Sequence, residues 1–252
     1  LKNVDYILAE DTRHSLKLLQ YFSIEKKLIS FHDCNESYKQ DRIVEELLEG
    51  RAIALISDAG TPLISDPGFE LVRECIAKKI PITHLPGPNA AICALVLSGF
   101  SPAPFQFIGF LPKKQQELTT LLQEIKSYKG VSIAYESPHR IEKTLQLLTE
   151  IAPQNQIVIA RELTKQFEEL IRGTAQEILS NRTNIEWRGE LVLLIEQSQN
   201  TPHATPDQLQ KYIKNLVEIG GLTHKEALKQ AAQEFDIPKR TLYQLMLPKN
   251  EN

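Results

Sequence analysis

The densest run of chemically able residues in this chain is Ile56-Ser-Asp-Ala-Gly-Thr-Pro-Leu-Ile-Ser-Asp-Pro-Gly68. Asp58, Gly60, Thr61 and Pro62 permit sharp backbone turns, and Gly68 lets the chain approach a neighbour closely. Small side chains leave main-chain N–H and C=O groups open, which suits a flat, polar adenosyl group. The last third also reads as a helix start, with Asp66 as N-cap and Pro67 in the first turn. A helix start alone does not account for two aspartates and two glycines in so short a loop.

Other polar clusters repeat the design. Pro86-Gly-Pro-Asn-Ala-Ala91 turns the chain after an apolar run. Glu10-Asp-Thr-Arg13 brings two carboxylates and a guanidinium to a strand end, read either as a cleft edge or as an N-cap with a surface ion pair. Phe31-His-Asp-Cys-Asn-Glu36, Tyr135-Glu-Ser-Pro-His-Arg140 and Arg161-Glu-Leu-Thr-Lys165 also follow apolar runs, and Glu168 adds a carboxylate. Open α/β sheets gather ligands at the carboxyl ends of their strands, so these clusters point to one cleft. No GxxxxGK[ST], GxSxG or HExxH spacing is present. Zinc and phosphate-transfer chemistry are therefore disfavoured, and no metal is expected.

The elements that must position these groups alternate between short apolar runs and amphipathic stretches, the pattern of an α/β layered fold. Strands are predicted over Val4–Ala9, Leu28–Phe31, Ala52–Ile56 and Ile82–Leu85. Helices are predicted over Ser15–Phe22, Lys39–Glu49, Asp66–Lys79 and Asn89–Leu97. Phe100–Pro112, with three prolines and four phenylalanines, reads as a crossover too apolar to be a solvated linker. Beyond it, helices are predicted over Leu118–Lys126, Ile141–Ile151 and Leu163–Ile171, and strands over Val131–Tyr135, Ile157–Ala160 and Leu191–Glu196. Gln197–Pro206 is a polar, proline-punctuated linker. A compact helical unit follows: Leu209–Val217, a capping box Thr223–Glu226 opening Lys225–Phe235, a turn at Asp236–Pro238, and Lys239–Met246. Helix, short turn, helix is helix-turn-helix spacing.

The 252 residues and 42% apolar content support two compact units and an appendage. The expected boundaries are residues 1–110, 111–197 and 205–248. A formal charge of -3 argues against nucleic-acid binding by diffuse positive charge alone, while leaving room for a local patch. Three scattered cysteines, Cys34, Cys75 and Cys93, read as reduced cytosolic thiols. No apolar run approaches a membrane span, so no membrane partner and a cytoplasmic location are expected.

The blocks AEDTR, SDAGTPLISDPG, PGPNAA, SGF, GFLP, YESPHR and RELTK, in this order, closely resemble the ribosomal RNA small subunit methyltransferase I family. That family lies among the tetrapyrrole-methylase-like (class III) methyltransferases, and the resemblance covers nearly all of Leu1–Gln197. It implies two α/β domains with S-adenosylmethionine in the cleft between them, plus a small helix-turn-helix tail, assembled as homodimers. The implied reaction is 2'-O-methylation of a cytidine ribose in the decoding region of 16S ribosomal RNA, within the 30S particle. By motif, the cofactor falls to Asp58, Ala59, Gly60, Thr61, Pro62 and Leu63, with Asn89, Ala90 and Ala91 in support. The family opens with a strand and a proline–glycine loop (a TPIGN-like run) that find no match here. The natural protein is thus expected to be longer by a strand, a loop and a helix, on the order of 25 residues.

A ribose hydroxyl is a weak acid, so a nearby base or a cation that steadies the alkoxide would help transfer. Glu10, Asp11, Glu36 and Glu136 are the candidate catalytic groups, with His32 and Lys165 as further possibilities. Arg13, His139, Arg140, Arg161 and Lys165 are candidate RNA contacts, and Lys239 and Arg240 open the last predicted helix where it would meet phosphate. From His203 onward seven cations face six carboxylates, a net of +1, which is mildly favourable for RNA. Two other readings remain open: a methylase of a tetrapyrrole or other small acceptor, and a ligand-sensing helix-turn-helix regulator. The tail favours a nucleic-acid acceptor over the first, and its sparse basic residues disfavour the second.

Overall fold

In the computed structural model, which describes residues 1–32, 35–197, 206–218, 221–234 and 242, the chain divides into two units, Leu1–Gln197 and Ser198–Asn252. The first is organised by two sheets. Strand β1 (Tyr6–Ala9) is buried along its whole length, as a central parallel strand must be. It lies between β2 (Lys27–Ser30) and β3 (Ile53–Ile56), parallel to both, in the order β2-β1-β3. Helices α1 (Thr12–Tyr21), α2 (Glu36–Leu48) and α3 (Phe69–Ala77) return the chain between or after these strands. Tyr6, Leu8, Phe31, Ile43, Val44, Leu71 and Cys75 form the core where α2 and α3 meet the sheet.

Helix α4 (Ala90–Ser98) then leads to the second sheet. Its strands are β4 (Phe105–Phe110), β5 (Val131–Glu136), β6 (Gln156–Arg161), β7 (Glu169–Thr174) and β8 (Leu191–Glu196), in the order β4-β5-β8-β6-β7. Only β4 and β5 pair in parallel; β8 runs antiparallel to both of its neighbours. One face packs on α5 (Gln115–Ser127), α6 (Ile141–Ile151) and α7 (Ala175–Ser180), with Ala134, Leu191, Leu193, Ile157 and Ile159 at its centre. The other face, with Ile133, Val192, Leu194 and Val158, receives Ala91, Ala94 and Leu95 of α4. Helix α4 is fixed at both ends. Asn89 caps its start by accepting from the Ile92 N–H at 3.2 Å, and Arg172 of β7 donates to the Leu97 and Ser98 carbonyls at 2.6 and 3.4 Å. A cation on the last carbonyls also complements the helix dipole.

The sequence expectations hold for most elements and fail at four places. Ile82–Leu85 is not a strand: residues 81–89 have no regular structure, and Leu85 is exposed. An apolar run becomes a strand only where another strand offers its edge, and among the described residues none pairs with it. The presumed crossover contains β4, so the second sheet begins at Phe105. Leu163–Ile171 is not helical; it is the connection between β6 and β7 and the start of β7. Finally α3 starts at Phe69 with Gly68 as N-cap, not at Asp66.

The unit Ser198–Asn252 contains α8 (Pro206–Glu218) and α9 (His224–Glu234). Leu209 and Ile213 pack against Ala227, Leu228, Ala231 and Leu242. The capping box exists: the Thr223 N–H and hydroxyl both donate to Glu226, at 2.9 and 2.6 Å. The predicted turn at 236–238, and the helix over Lys239–Met246 apart from Leu242, lie outside the described residues.

Candidate active site

Ala9, Ser30 and Ile56 stand in one row across β2-β1-β3, so the loops that follow them leave the sheet side by side. The Asp58 carboxylate accepts from the Asp11 N–H at 3.2 Å, joining the first loop to the third. The Thr61 hydroxyl donates to the Pro88 carbonyl at 2.8 Å, joining the third to the Pro86–Asn89 turn. Within the loop the backbone turns left-handed at Gly60, Leu63, Ser65 and Gly68. Leu63 (φ 71°) and Ser65 (φ 66°) are not glycines, so this loop holds a conformation that side chains resist, a feature that clusters at ligand sites. At Gly68 the requirement is steric as well: a Cβ would lie 2.5 Å from the Leu55 side chain.

The surface so formed fits a sulfonium nucleoside. Ala59 and Gly60 expose main-chain groups, Asp58 offers a half-buried carboxylate, and Pro62 and Leu63 present half-buried apolar area beside it. Cationic amine and ribose hydroxyls require acceptors, and an adenine ring requires apolar contact. The supporting turn is a different matter. The Asn89 side chain is spent on capping α4, and the Ala91 methyl is in the core, its N–H bonded to the Tyr135 phenol. Of that trio Ala90 alone is open.

The candidate acids separate by environment. The Asp11 carboxylate accepts three bonds from Arg13, from its main chain at 2.8 Å and its guanidinium at 3.1 and 2.7 Å, which hold it far below the usual carboxylate range. A carboxylate so stabilised is a poor proton acceptor; the N-cap reading of Asp11 is the one that applies, with Arg13 exposed in a surface ion pair. Glu136 is 3% exposed and takes bonds from the Ser137 N–H (2.7 Å) and Thr144 hydroxyl (2.8 Å), with Arg140 3.3 Å away. It faces the helix-covered side, in register with Leu191, where these bonds anchor the β5–α6 turn. Glu10 is half-buried just after β1 and Glu36 half-buried at the start of α2, where one of its carboxylate oxygens is buried with no hydrogen-bond partner among the described residues. His32 lies beside them, its Nε2 2.9 Å from the Asn35 amide.

The candidate RNA cations separate in the same way. Arg140 donates to the carbonyls of Leu111 and Pro112, tying the β5–α6 turn to the end of β4. Arg161 is 8% exposed, in register with Leu191 on the helix-covered side, and bonded to Glu169 at 2.7 Å. Neither is presented to a phosphate. Lys165 is held between Glu162 and Glu190 at 3.0 and 3.1 Å. His139 is exposed, and Lys239 and Arg240 lie outside the described residues. Among the described residues no cluster of His, Cys, Asp and Glu could hold a metal ion.

Charge spacing does not reveal the second sheet's contribution to the cleft. Tyr135 stands on the face opposite Glu136, between the rings of Phe107 and Phe110 at 5.1 and 5.4 Å, both edge to face. Burial, and then the charge of Asp66, push its phenol up, against the opposing pull of the Ala91 N–H. The loop Ser57–Gly68 therefore has the Tyr135 face of the second sheet beside it. A groove of about 530 Å³ between β4 and α5, lined by Gln106, Ile108, Leu121 and Glu124, contains none of the strand-end residues.

Comparison with known proteins agrees with this geometry. The family model of tetrapyrrole (corrin/porphyrin) methylases matches residues 1–179. The ribosomal RNA small subunit methyltransferase I of Halalkalibacterium halodurans is 40% identical over 97% of this chain and 86% of its own length. That of Synechocystis is 41% identical over 98% and 89%. Among solved structures, a diphthine synthase superposes with a TM-score of 0.59 at 11% identity, covering 77% of this chain and 80% of its own. A uroporphyrin-III C-methyl transferase from Thermus thermophilus, complexed with S-adenyl homocysteine, does so with a TM-score of 0.52 at 13% identity, covering 78% and 87%. The chain belongs to the tetrapyrrole methylase family, and within it to the ribosomal RNA small subunit methyltransferase I family.

Proposed function

We propose that the chain is an S-adenosylmethionine-dependent methyltransferase that modifies the ribose 2'-hydroxyl of a cytidine in the decoding region of small-subunit ribosomal RNA. The observation that carries this is the strained, small-residue loop at Asp58–Leu63, joined to its neighbours through Asp11 and Pro88, in a chain 40% identical to rRNA methyltransferases over nearly its whole length. When bound, S-adenosylmethionine supplies an electrophilic methyl on a sulfonium. Asp58 and the main chain of Ala59–Leu63 would hold it, and the Thr61–Pro88 bond keeps that wall closed. Such a transfer needs alignment and exclusion of water more than covalent help. Glu10, just after β1, and Glu36, at the start of α2, are half-buried carboxylates of this cleft edge, and one of them receives the hydroxyl proton.

Helix α4 supports a homodimer. It has no polar face; one side packs on the second sheet, while Ile92, Val96 and Leu97 stay exposed, Val96 at 78%. An apolar helix face of this kind is expected to be covered by a second copy. A ribosomal substrate would be met in the cytoplasm. The described residues contain no helix long and apolar enough to cross a membrane.

The test is transfer of tritium from labelled S-adenosylmethionine, offering purified 30S subunits, naked 16S RNA and uroporphyrinogen side by side. Label in RNA, mapped to a ribose, is the expected result. Label in the porphyrin alone would transfer this chain to the small-acceptor methylases.

A further inference from the structure

The alternation of β4 is broken. Phe105, Gln106 and Phe107 pair in order with Val131, Ser132 and Ile133, but the next partner, Ala134, is met by Gly109, so Ile108 is an extra residue. Gly109 has φ 79°, a conformation that suits glycine at a bulge. Strict alternation would place Phe110 on the same side as Gln106 and Ile108, and Ile108 does pack into the helix-covered core. The bulge absorbs the extra residue and so sets Phe110 on the other face, opposite Tyr135 and on the side of Phe107. Bulges re-aim side chains near active sites, and this one aims a phenyl out of a core and into the open.

The cost is visible: Phe110 remains 65% exposed, at the carboxyl end of its strand. Its neighbours are the loop of the candidate site. A Cβ on Gly109 would lie 3.6 Å from the Ser65 hydroxyl, and Tyr135, against which the Phe110 ring rests, feels the charge of Asp66. The ring is thus braced on one side by an edge-to-face contact while much of it is presented to solvent beside Ser57–Gly68. A rigid, presented aromatic ring is what unpaired bases stack on, without need of charge. Four cations near this sheet end, by contrast, are paired with carboxylates: Arg140 with Glu136, Arg161 with Glu169, Lys165 with Glu162 and Glu190, and Arg188 with Glu186.

We propose that Phe110 is a substrate-binding residue on which a nucleobase of the RNA acceptor stacks, next to the cofactor loop. The inference rests on the reading of the acceptor as RNA. It is tested on the full chain with Phe110→Ala, Phe110→Tyr and Phe110→Trp, the last in a Trp187→Phe background so that the new indole is the single tryptophan. Three quantities are measured: affinity for 30S subunits and naked 16S RNA, affinity for S-adenosylhomocysteine, and mass in solution. Phe110→Ala is expected to weaken RNA binding by about 5- to 150-fold, the usual loss of one base stack on truncation. Cofactor-product affinity and mass stay unchanged, Phe110→Tyr recovers most of the RNA affinity, and RNA quenches the fluorescence of Trp at this position. Unchanged RNA affinity in Phe110→Ala overturns the proposal. So does a loss confined to S-adenosylhomocysteine, which would make the ring an adenine contact, or a change of mass, which would make it part of an interface between copies. Absence of RNA affinity in the unmodified chain would instead defeat the RNA reading, and this inference with it.

Discussion

The hydroxyl of Thr61 reaches 2.8 Å to the carbonyl of Pro88, and through this bond the loop after β3 is fastened to the turn before α4. The bond is solvent-exposed, so its loss leaves no buried orphan and costs about 0.5–1.5 kcal/mol. Thr61→Val keeps the shape and removes the donor. S-adenosylhomocysteine affinity, measured by calorimetry, is expected to fall about two- to tenfold while the melting temperature falls by about 1–6 °C. Unchanged affinity would show that the two loops do not act as one wall.

The Glu136–Arg140 pair lets a structural role for the acid be separated from a catalytic one. Arg140→Met would leave a carboxylate with 1% of its side chain exposed beside only neutral donors. Breaking such a pair from one side costs about 3–5 kcal/mol, read by urea denaturation at pH 7. Glu136→Gln is likewise expected to lower stability, with surviving folded enzyme keeping most of its turnover number. A full-stability Glu136→Gln enzyme with turnover abolished would restore Glu136 to the catalytic site.

Asn89→Ala removes the side-chain acceptor at the start of α4 and is expected to cost about 0.5–2 kcal/mol of stability. Cofactor-product affinity should stay within about twofold if Asn89 only caps the helix, the stability loss being a property of the cap. A stable Asn89→Ala protein that has lost the cofactor product would reverse that assignment.

Most of the polar loops were legible because they follow apolar runs that are strands, Pro86–Ala91 after the irregular Ile82–Leu85 being the exception, and runs such as Leu191–Glu196 and Ile141–Ile151 carried their periods without interruption. Strand β4 was hidden because its bulge breaks the alternation that marks a strand and prolines flank it. Strand β7 was hidden because Leu163, Phe167, Leu170 and Ile171 happen to repeat at helical spacing, whereas Leu170 and Ile171 in fact serve opposite faces of the sheet. The commitment of Arg140 could not be read at all, since its carbonyl partners lie 28 and 29 residues away and charge alone does not name a partner.

The ion pairs around Lys165 give a pH dependence with a definite sign. The Glu190 N–H and then Lys165 hold the Glu162 carboxyl below its ordinary 4.5, and Glu162 in turn holds Lys165 above 10.5. A depressed carboxyl stabilises the fold above its unfolded value and loses that contribution as pH falls through the folded one. A raised ammonium stabilises below 10.5 and loses it as pH climbs past the folded value. The stability gap between the unmodified chain and Glu162→Gln should therefore be level from about pH 5 to 9 and close as pH drops below about 4.5. Denaturation midpoints at pH 3.5, 4.5 and 7 check this, and a gap that widens on acidification would contradict it.

The bulge at Ile108–Gly109 can be tested apart from the ring it re-aims. Gly109→Ala has room, since its Cβ would meet only the Ser65 hydroxyl at 3.6 Å, an ordinary contact. What it lacks is a comfortable backbone: at φ 79° a side chain costs about 1–2 kcal/mol. Deleting Ile108 removes the extra residue and restores strict alternation. Phe105, Phe107 and Phe110 then fall on one side of the strand, so Phe110 should keep its place opposite Tyr135. With Trp placed at position 110, the intact and the shortened strand should both give red-shifted, readily quenched emission. Blue-shifted, protected emission from the shortened strand would mean that the deletion slips the register of β4 and turns position 110 toward the helix-covered core.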